Sequence, residues 1–78
     1  MDASMHIGML WFDNDKTTSL DDRIRRGAAY YRSKHGQDPN LCFVNPKMLE
    51  GGQPGVAGIE VRPTRSVMPN HFWLGVSS

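Results

Sequence analysis

Ile7-Gly8-Met9-Leu10-Trp11-Phe12, followed directly by Asp13-Asn14-Asp15-Lys16-Thr17-Thr18, is the stretch on which the fold turns. Residues 6–12 read as a strand. Ile7, Met9 and Trp11 point to one side and Gly8, Leu10 and Phe12 to the other, so both faces are apolar. A strand of that kind is expected in a sheet interior, covered on both sides. The polar run behind it then leads into a helix, an arrangement in which α/β proteins often hold ligands.

Working outward, residues 19–35 carry the helical pattern. Thr18 or Ser19 is placed to cap it, with Asp21 or Asp22 at the capping-box spacing and in the favourable first turn. Leu20, Ile24, Gly27, Ala28, Tyr31 and His35 recur on one stripe as the expected buried face. Asp21 with Arg25 and Asp22 with Arg26 fall four apart, which predicts exposed ion pairs. Gly36 is a natural stop, and Pro39 blocks continuation. Leu41-Cys42-Phe43-Val44 is a second short apolar strand, and Asn45-Pro46 ends it. Met48 and Leu49 suit a turn of helix, and Gly51-Gly52-Gln53-Pro54-Gly55 an exposed loop. Ile59-Glu60-Val61-Arg62 alternates as a strand, with Pro63 marking a sheet edge. Met68-Pro69-Asn70 turns into a last strand, His71 to Val76.

These elements predict one α/β domain over residues 6–76 behind a disordered tail, residues 1–5. Its expected architecture is a small mixed sheet of about four strands with one helix on one face, in the order βαβββ. The first two strands are expected to be parallel neighbours joined through the helix, and the last two an antiparallel hairpin. A single helix leaves the other sheet face bare. A chain of 78 residues has little core to spare. The expected partner is therefore a second copy, a homodimer formed through the helix-free face.

Composition narrows the function. The formal charge is +1, hydrophobic residues make up 38% and charged residues 22%, as in a globular protein without a global nucleic-acid footprint. The longest apolar run, Met9 to Phe12, is far below the roughly 20 residues of a membrane span. The N-terminus lacks a basic segment followed by a long apolar one. The one cysteine, Cys42, forms no internal disulfide, which fits a reducing cytoplasm.

Three constellations could carry chemistry. Asp13-Asn14-Asp15-Lys16-Thr17 has the form Asp-x-Asp-x-Thr and resembles the first motif of haloacid dehalogenase-type phosphatases. The resemblance implies Asp13 as nucleophile and Asp15 as acid/base beside magnesium, a metal-dependent phosphoryl-transfer or hydrolytic site. It covers five residues, and no downstream acidic pair after a strand completes it. The same run fails as a calcium-binding EF-hand, with Thr18 where glycine and Ile24 where glutamate is needed. The second is basic. Arg23, Arg25, Arg26, Arg32 and Lys34 against Asp21 and Asp22 make residues 19–36 locally +3. Arg23, Arg26, Arg62 and Arg65 are the candidate phosphate or nucleic-acid contacts, although no binding motif accompanies them. The third is a crevice at the carboxyl ends of the first two strands, lined by Asp13, Asn14, Asp15, Thr17 and Asn45. His6, His35 and His71 have no metal-site spacing, so no metal is expected. The glycine-rich loop lacks the Lys-Ser/Thr ending of a phosphate loop, so no cofactor is expected.

Tyr30-Tyr31-Arg32, Lys34-His35-Gly36, Pro39-Asn40-Leu41-Cys42-Phe43-Val44-Asn45-Pro46 and Arg65-Ser66-Val67-Met68-Pro69-Asn70-His71-Phe72-Trp73-Leu74-Gly75 resemble short bacterial proteins of unassigned function. That resemblance implies a small bacterial protein and supplies no activity. The expectation is therefore a non-catalytic cytoplasmic module acting by self-association and by binding a protein or small ligand. A nucleic-acid binder using the arginine face is the first alternative, and the Asp13/Asp15 hydrolytic site the second.

Overall fold

The computed structural model describes residues 8–77. The expected tail, residues 1–5, and the first two residues of the expected first strand lie outside that range. Four strands and one α-helix follow in chain order: β1 (Gly8–Phe12), α1 (Leu20–His35), β2 (Leu41–Val44), β3 (Glu60–Pro63) and β4 (His71–Gly75). One turn of 3-10 helix, Pro46–Leu49, stands between β2 and β3, an element that the order βαβββ omits. The architecture is a small mixed α/β fold with one helix and a four-stranded sheet.

Local signals set the helix ends. Ser19 caps α1, its side chain accepting from the Asp22 N–H at 3.1 Å. Gly36 closes it in the left-handed region at φ 77°, donating its N–H to the Arg32 carbonyl at 2.8 Å. Ile24, Gly27 and Tyr31 are the buried residues of the stripe. His35 is exposed instead, its ring 4.5 Å from that of Tyr31. The expected Asp22–Arg26 pair does not form. Asp22 binds Arg25 at 2.9 Å, because Arg26 turns toward the loop after β1.

The sheet order is β1-β4-β2-β3, and this corrects two expectations. β1 and β2 run in the same direction but are not neighbours, since β4 lies between them, antiparallel to both. β3 and β4 form no hairpin: among the described residues β3 pairs only with β2, in parallel. Residues 64–70 carry the chain past the end of β2, and Asn45 Nδ2 holds this segment by donating to the Val67 carbonyl at 2.9 Å. Burial explains the choice of central strand. Phe72 and Leu74 of β4 are both fully buried, whereas Met9 is the only buried residue of β1.

The register divides the side chains between two faces. Met9 is opposite Leu74, and Trp11 opposite Phe72; on the other side of β4, Cys42 and Val44 flank the same two residues, and Val61 follows on β3. With Ile24 and Tyr31 from α1 these side chains form the core, against which Trp11 packs partly buried. Gly27 lets the helix approach, since a Cβ there would stand 2.6 Å from Leu74 Cδ1 and 2.9 Å from Trp11 Cδ1. The opposite face carries Leu10, Phe12, Leu41, Phe43, Trp73 and Arg62, and among the described residues no helix lies over it. β1 is thus apolar on both faces yet sits at a sheet edge, which corrects its expected interior position. Leu10 is 59% and Phe12 56% exposed.

Candidate functional site

The loop between β1 and α1 is a closed network of hydrogen bonds. Asp13 Oδ1 accepts from the Asp15 N–H at 3.0 Å, and Asp15 Oδ1 accepts from the Thr17 N–H at 2.9 Å and hydroxyl at 2.6 Å. These are the short-range side-chain-to-backbone bonds by which aspartates build turns. Arg26 reaches back from α1 and places Nη1 3.2 Å from Asp13 Oδ2 and 3.2 Å from Asp15 Oδ2. The Thr17 hydroxyl and N–H, then the Arg26 guanidinium, hold the Asp15 carboxyl down at about 2. Asp15, and after it Asp13, in turn raise the Arg26 pKa.

The partners in this cluster bear on its chemistry. A nucleophilic carboxylate needs a free oxygen facing its electrophile. Here both carboxylates accept from the same guanidinium, and the arrangement braces the loop against the helix. Among the described residues, no group of three or more His, Cys, Asp and Glu side chains is gathered as a metal site. Arg23 extends the brace. Its Nη1 lies 3.5 Å from the Asp13 carbonyl and 3.5 Å from Asn70 Oδ1, and its Nε is buried without a partner.

The crevice residues occupy one end of the sheet but not one pocket. β1 and β2 point the same way, so Asp13 and Asn45 share that end, yet the turn leading into β4 stands between them. Asn70, in the left-handed region at φ 66°, accepts the Asp13 N–H on its carbonyl at 2.9 Å. Asn45 is engaged elsewhere, donating to Val67 and accepting from the Lys47 N–H at 3.0 Å as cap of the 3-10 turn. Asn14 is exposed. Two grooves are found elsewhere, and none of the five crevice residues lines either. One, of about 470 Å³, runs between Arg25, Ala28 and Arg32 of α1 and residues 56–59. The other, of about 270 Å³, lies on the helix-free face between Phe43, Trp73 and Val67.

The arginines are likewise dispersed. Arg23 and Arg26 face the loop carboxylates and Asn70. Arg62 lies on the opposite side of the sheet, beside Phe43 in the register, and binds Glu60 at 2.7 Å, which raises its pKa. Arg65 is exposed in the turn after β3. The four therefore do not line one surface, as a phosphate-backbone track requires.

The feature that residue-by-residue reading passed over is the difference between the two sheet edges. The bond from Asp13 N–H to Asn70 sets the alternation of the β1–β4 ladder, so Met9 and Trp11 turn their backbone groups inward. Gly8, Leu10 and Phe12 turn theirs outward. Among the described residues, nothing pairs with the outward groups of Leu10 and Phe12. The β3 edge is blunted. Pro63 has no N–H to offer, Gln53 Nε2 donates to the Val61 carbonyl at 3.1 Å, and the Ile59 N–H is taken by Val56 at 3.1 Å. The signal in the sequence was Pro63 beside an uncharged Gly8–Phe12, but it needed the strand order to become readable. No helix among the described residues is long and apolar enough to cross a membrane. Compared with protein-family models, curated proteins and solved structures, the chain matches none of them.

Proposed function

We propose that this protein is a small non-catalytic module that acts by self-association through the helix-free face of its sheet. One observation carries the reading: Leu10 and Phe12 stand more than half exposed, side by side on the face that also holds Phe43 and Trp73. A small fold that leaves two large apolar side chains on one strand gains by covering them. The groove beside Phe43 and Trp73 adds a place for a further protein or small ligand on the same face. A cytoplasmic setting suits the buried free thiol of Cys42.

Light scattering at micromolar concentration tests the proposal. The expected result is a dimer that Leu10→Lys or Phe12→Lys converts to a monomer with an unchanged circular dichroism spectrum. A wild-type chain that stays monomeric up to millimolar concentration overturns it.

A further inference from the structure

We infer that the two copies join edge to edge, β1 against β1, in an antiparallel pair whose two-fold axis passes through Leu10. This inference rests on the self-association proposed above and moves its contact from the open face to the edge strand that borders it, so that the two helix-free faces lie side by side as one surface.

The edges themselves point to it. A sheet edge exposes a row of N–H and C=O groups that will pair with another strand unless charge, proline or a covering segment prevents it. β3 has such protection in Glu60, Arg62, Pro63 and the Gln53 side chain. β1 reads Gly-Met-Leu-Trp-Phe, with neither charge nor proline. Leu10 and Phe12, the residues whose backbone groups face outward, are also those with exposed apolar side chains. Backbone and side-chain needs therefore coincide on one strand.

The occupant is a second copy because β1 complements itself. With the axis at Leu10, the outward residues pair as Leu10 with Leu10, and as Gly8 with Phe12 in both directions. That register engages all three outward residues of each copy, roughly six main-chain hydrogen bonds. It sets the ring of Phe12 opposite a residue without a side chain. The space above Gly8 is floored by an indole, since a Cβ on Gly8 would lie 2.0 Å from Trp73 Cζ2. Phe12 of the second copy thus meets the edge of Trp73, an aromatic contact on each side of the axis.

Spacing is consistent with this, and area sets what the side chains can contribute. Aromatic side chains carry roughly 150–250 Å² each, so Phe12, at 56% exposure, offers on the order of 100 Å². Leu10 offers a similar amount, so the four side chains of a dimer expose about 400 Å², of which edge pairing covers the flanks that meet across the axis. A stable interface buries about 1,200 Å² or more. Side chains alone fall well short of that, so the pairing rests on its main-chain hydrogen bonds rather than on buried area. Tyr30 is 51% exposed and stacks 5.3 Å from Trp11, on the helix side of the same edge. Each helix packs over β4, one strand in from the junction. The two β4 strands would lie about 14 Å apart at normal strand spacing, which clears the 8–10 Å needed between helices.

The test separates backbone pairing from side-chain contact. Leu10→Pro removes an outward N–H and blocks the edge, while the β1–β4 ladder keeps its bonds. Leu10→Ala removes the side chain and keeps the N–H. Leu10→Pro is expected to raise the dimer dissociation constant by about a hundredfold or more, and Leu10→Ala by less than about tenfold, since the pair loses its central hydrogen bonds only in the first. Hydrogen exchange on the wild-type protein gives a second readout, independent of whether Leu10→Pro folds. Leu10 and Phe12 amides should be protected in the dimer and lose protection on dilution, while Met9 and Trp11 keep theirs. A wild-type dimer whose Leu10 and Phe12 amides exchange freely overturns edge pairing and leaves self-association standing. So does a Leu10→Pro protein that dimerises as well as Leu10→Ala. A wild-type monomer removes both.

Discussion

The indole of Trp73 lies across Gly8, so close that a Cβ on Gly8 would come within 2.0 Å of Cζ2 and 2.4 Å of Cε2. The contact joins β1 to β4 on the helix-free face, and its near side is rigid ring. Gly8→Ala is expected to lower stability by about 1–3 kcal/mol, the usual cost of overpacking. Chemical denaturation measures it. Combining Gly8→Ala with Trp73→Leu should cost less than the two changes added, because the second removes the ring that the methyl group strikes.

Gly27 sets a second close approach, between α1 and the sheet. Alanine in a helix interior is normally better than glycine by about 1 kcal/mol. Here its Cβ would meet Leu74 Cδ1 at 2.6 Å and Trp11 Cδ1 at 2.9 Å, both in or against the core. Overpacking of about 1–3 kcal/mol exceeds the helix gain. Gly27→Ala is therefore expected to be net destabilising, and a raised melting temperature would contradict the tight helix–sheet contact.

The Asp15 carboxyl is held at about 2, below its ordinary 3.8, chiefly by the Thr17 hydroxyl and N–H and only then by Arg26. A lowered folded-state value means that Asp15 stabilises the fold above pH 4. That contribution fades as the pH falls from about 4 to about 2. Thr17→Val should raise the Asp15 pKa, read by carboxyl NMR titration, more than Arg26→Gln does. The reverse ranking would make the ion pair the dominant partner.

Burial in β2 pushes the Cys42 thiol up to about 12 from an ordinary 9.0. A raised folded-state value means that the neutral thiol favours the folded state below pH 9. The advantage is lost as the pH rises from about 9 toward 12, since the unfolded chain ionises first. Cys42→Ala should remove that alkaline slope from the stability profile. In the wild-type protein, a thiol reagent at pH 8 should react no faster than the chain opens.

The candidate site was legible in its parts but not in its role. Asp13, Asp15 and Thr17 stood out because polar groups between a strand and a helix are conspicuous. What they do depended on Arg26 turning back from α1, a choice that the i,i+4 pattern with Asp22 did not contain. Asn45 and Asp13 share one end of the sheet because β1 and β2 run in the same direction. The turn into β4 separates them, and no local pattern announces an inserted strand. The helix stripe was likewise legible at Ile24, Gly27 and Tyr31 and failed at His35, which is exposed in the last turn.

By itself the sequence determined the elements: the helix between its Ser19 cap and its Gly36 stop, the four strands, and the edge position of the strand ending in Pro63. Those features are local, set by capping groups, glycine conformation and period-two alternation. Only the tertiary structure decided the strand order, because apolar alternation says which face of a strand is buried and nothing about its neighbours. The stretch Gly8–Phe12 reads as interior from its side chains on both faces. The insertion of β4 beside β2 makes it an edge, and among the described residues this leaves the outward backbone groups of Leu10 and Phe12 unpaired beside their exposed side chains.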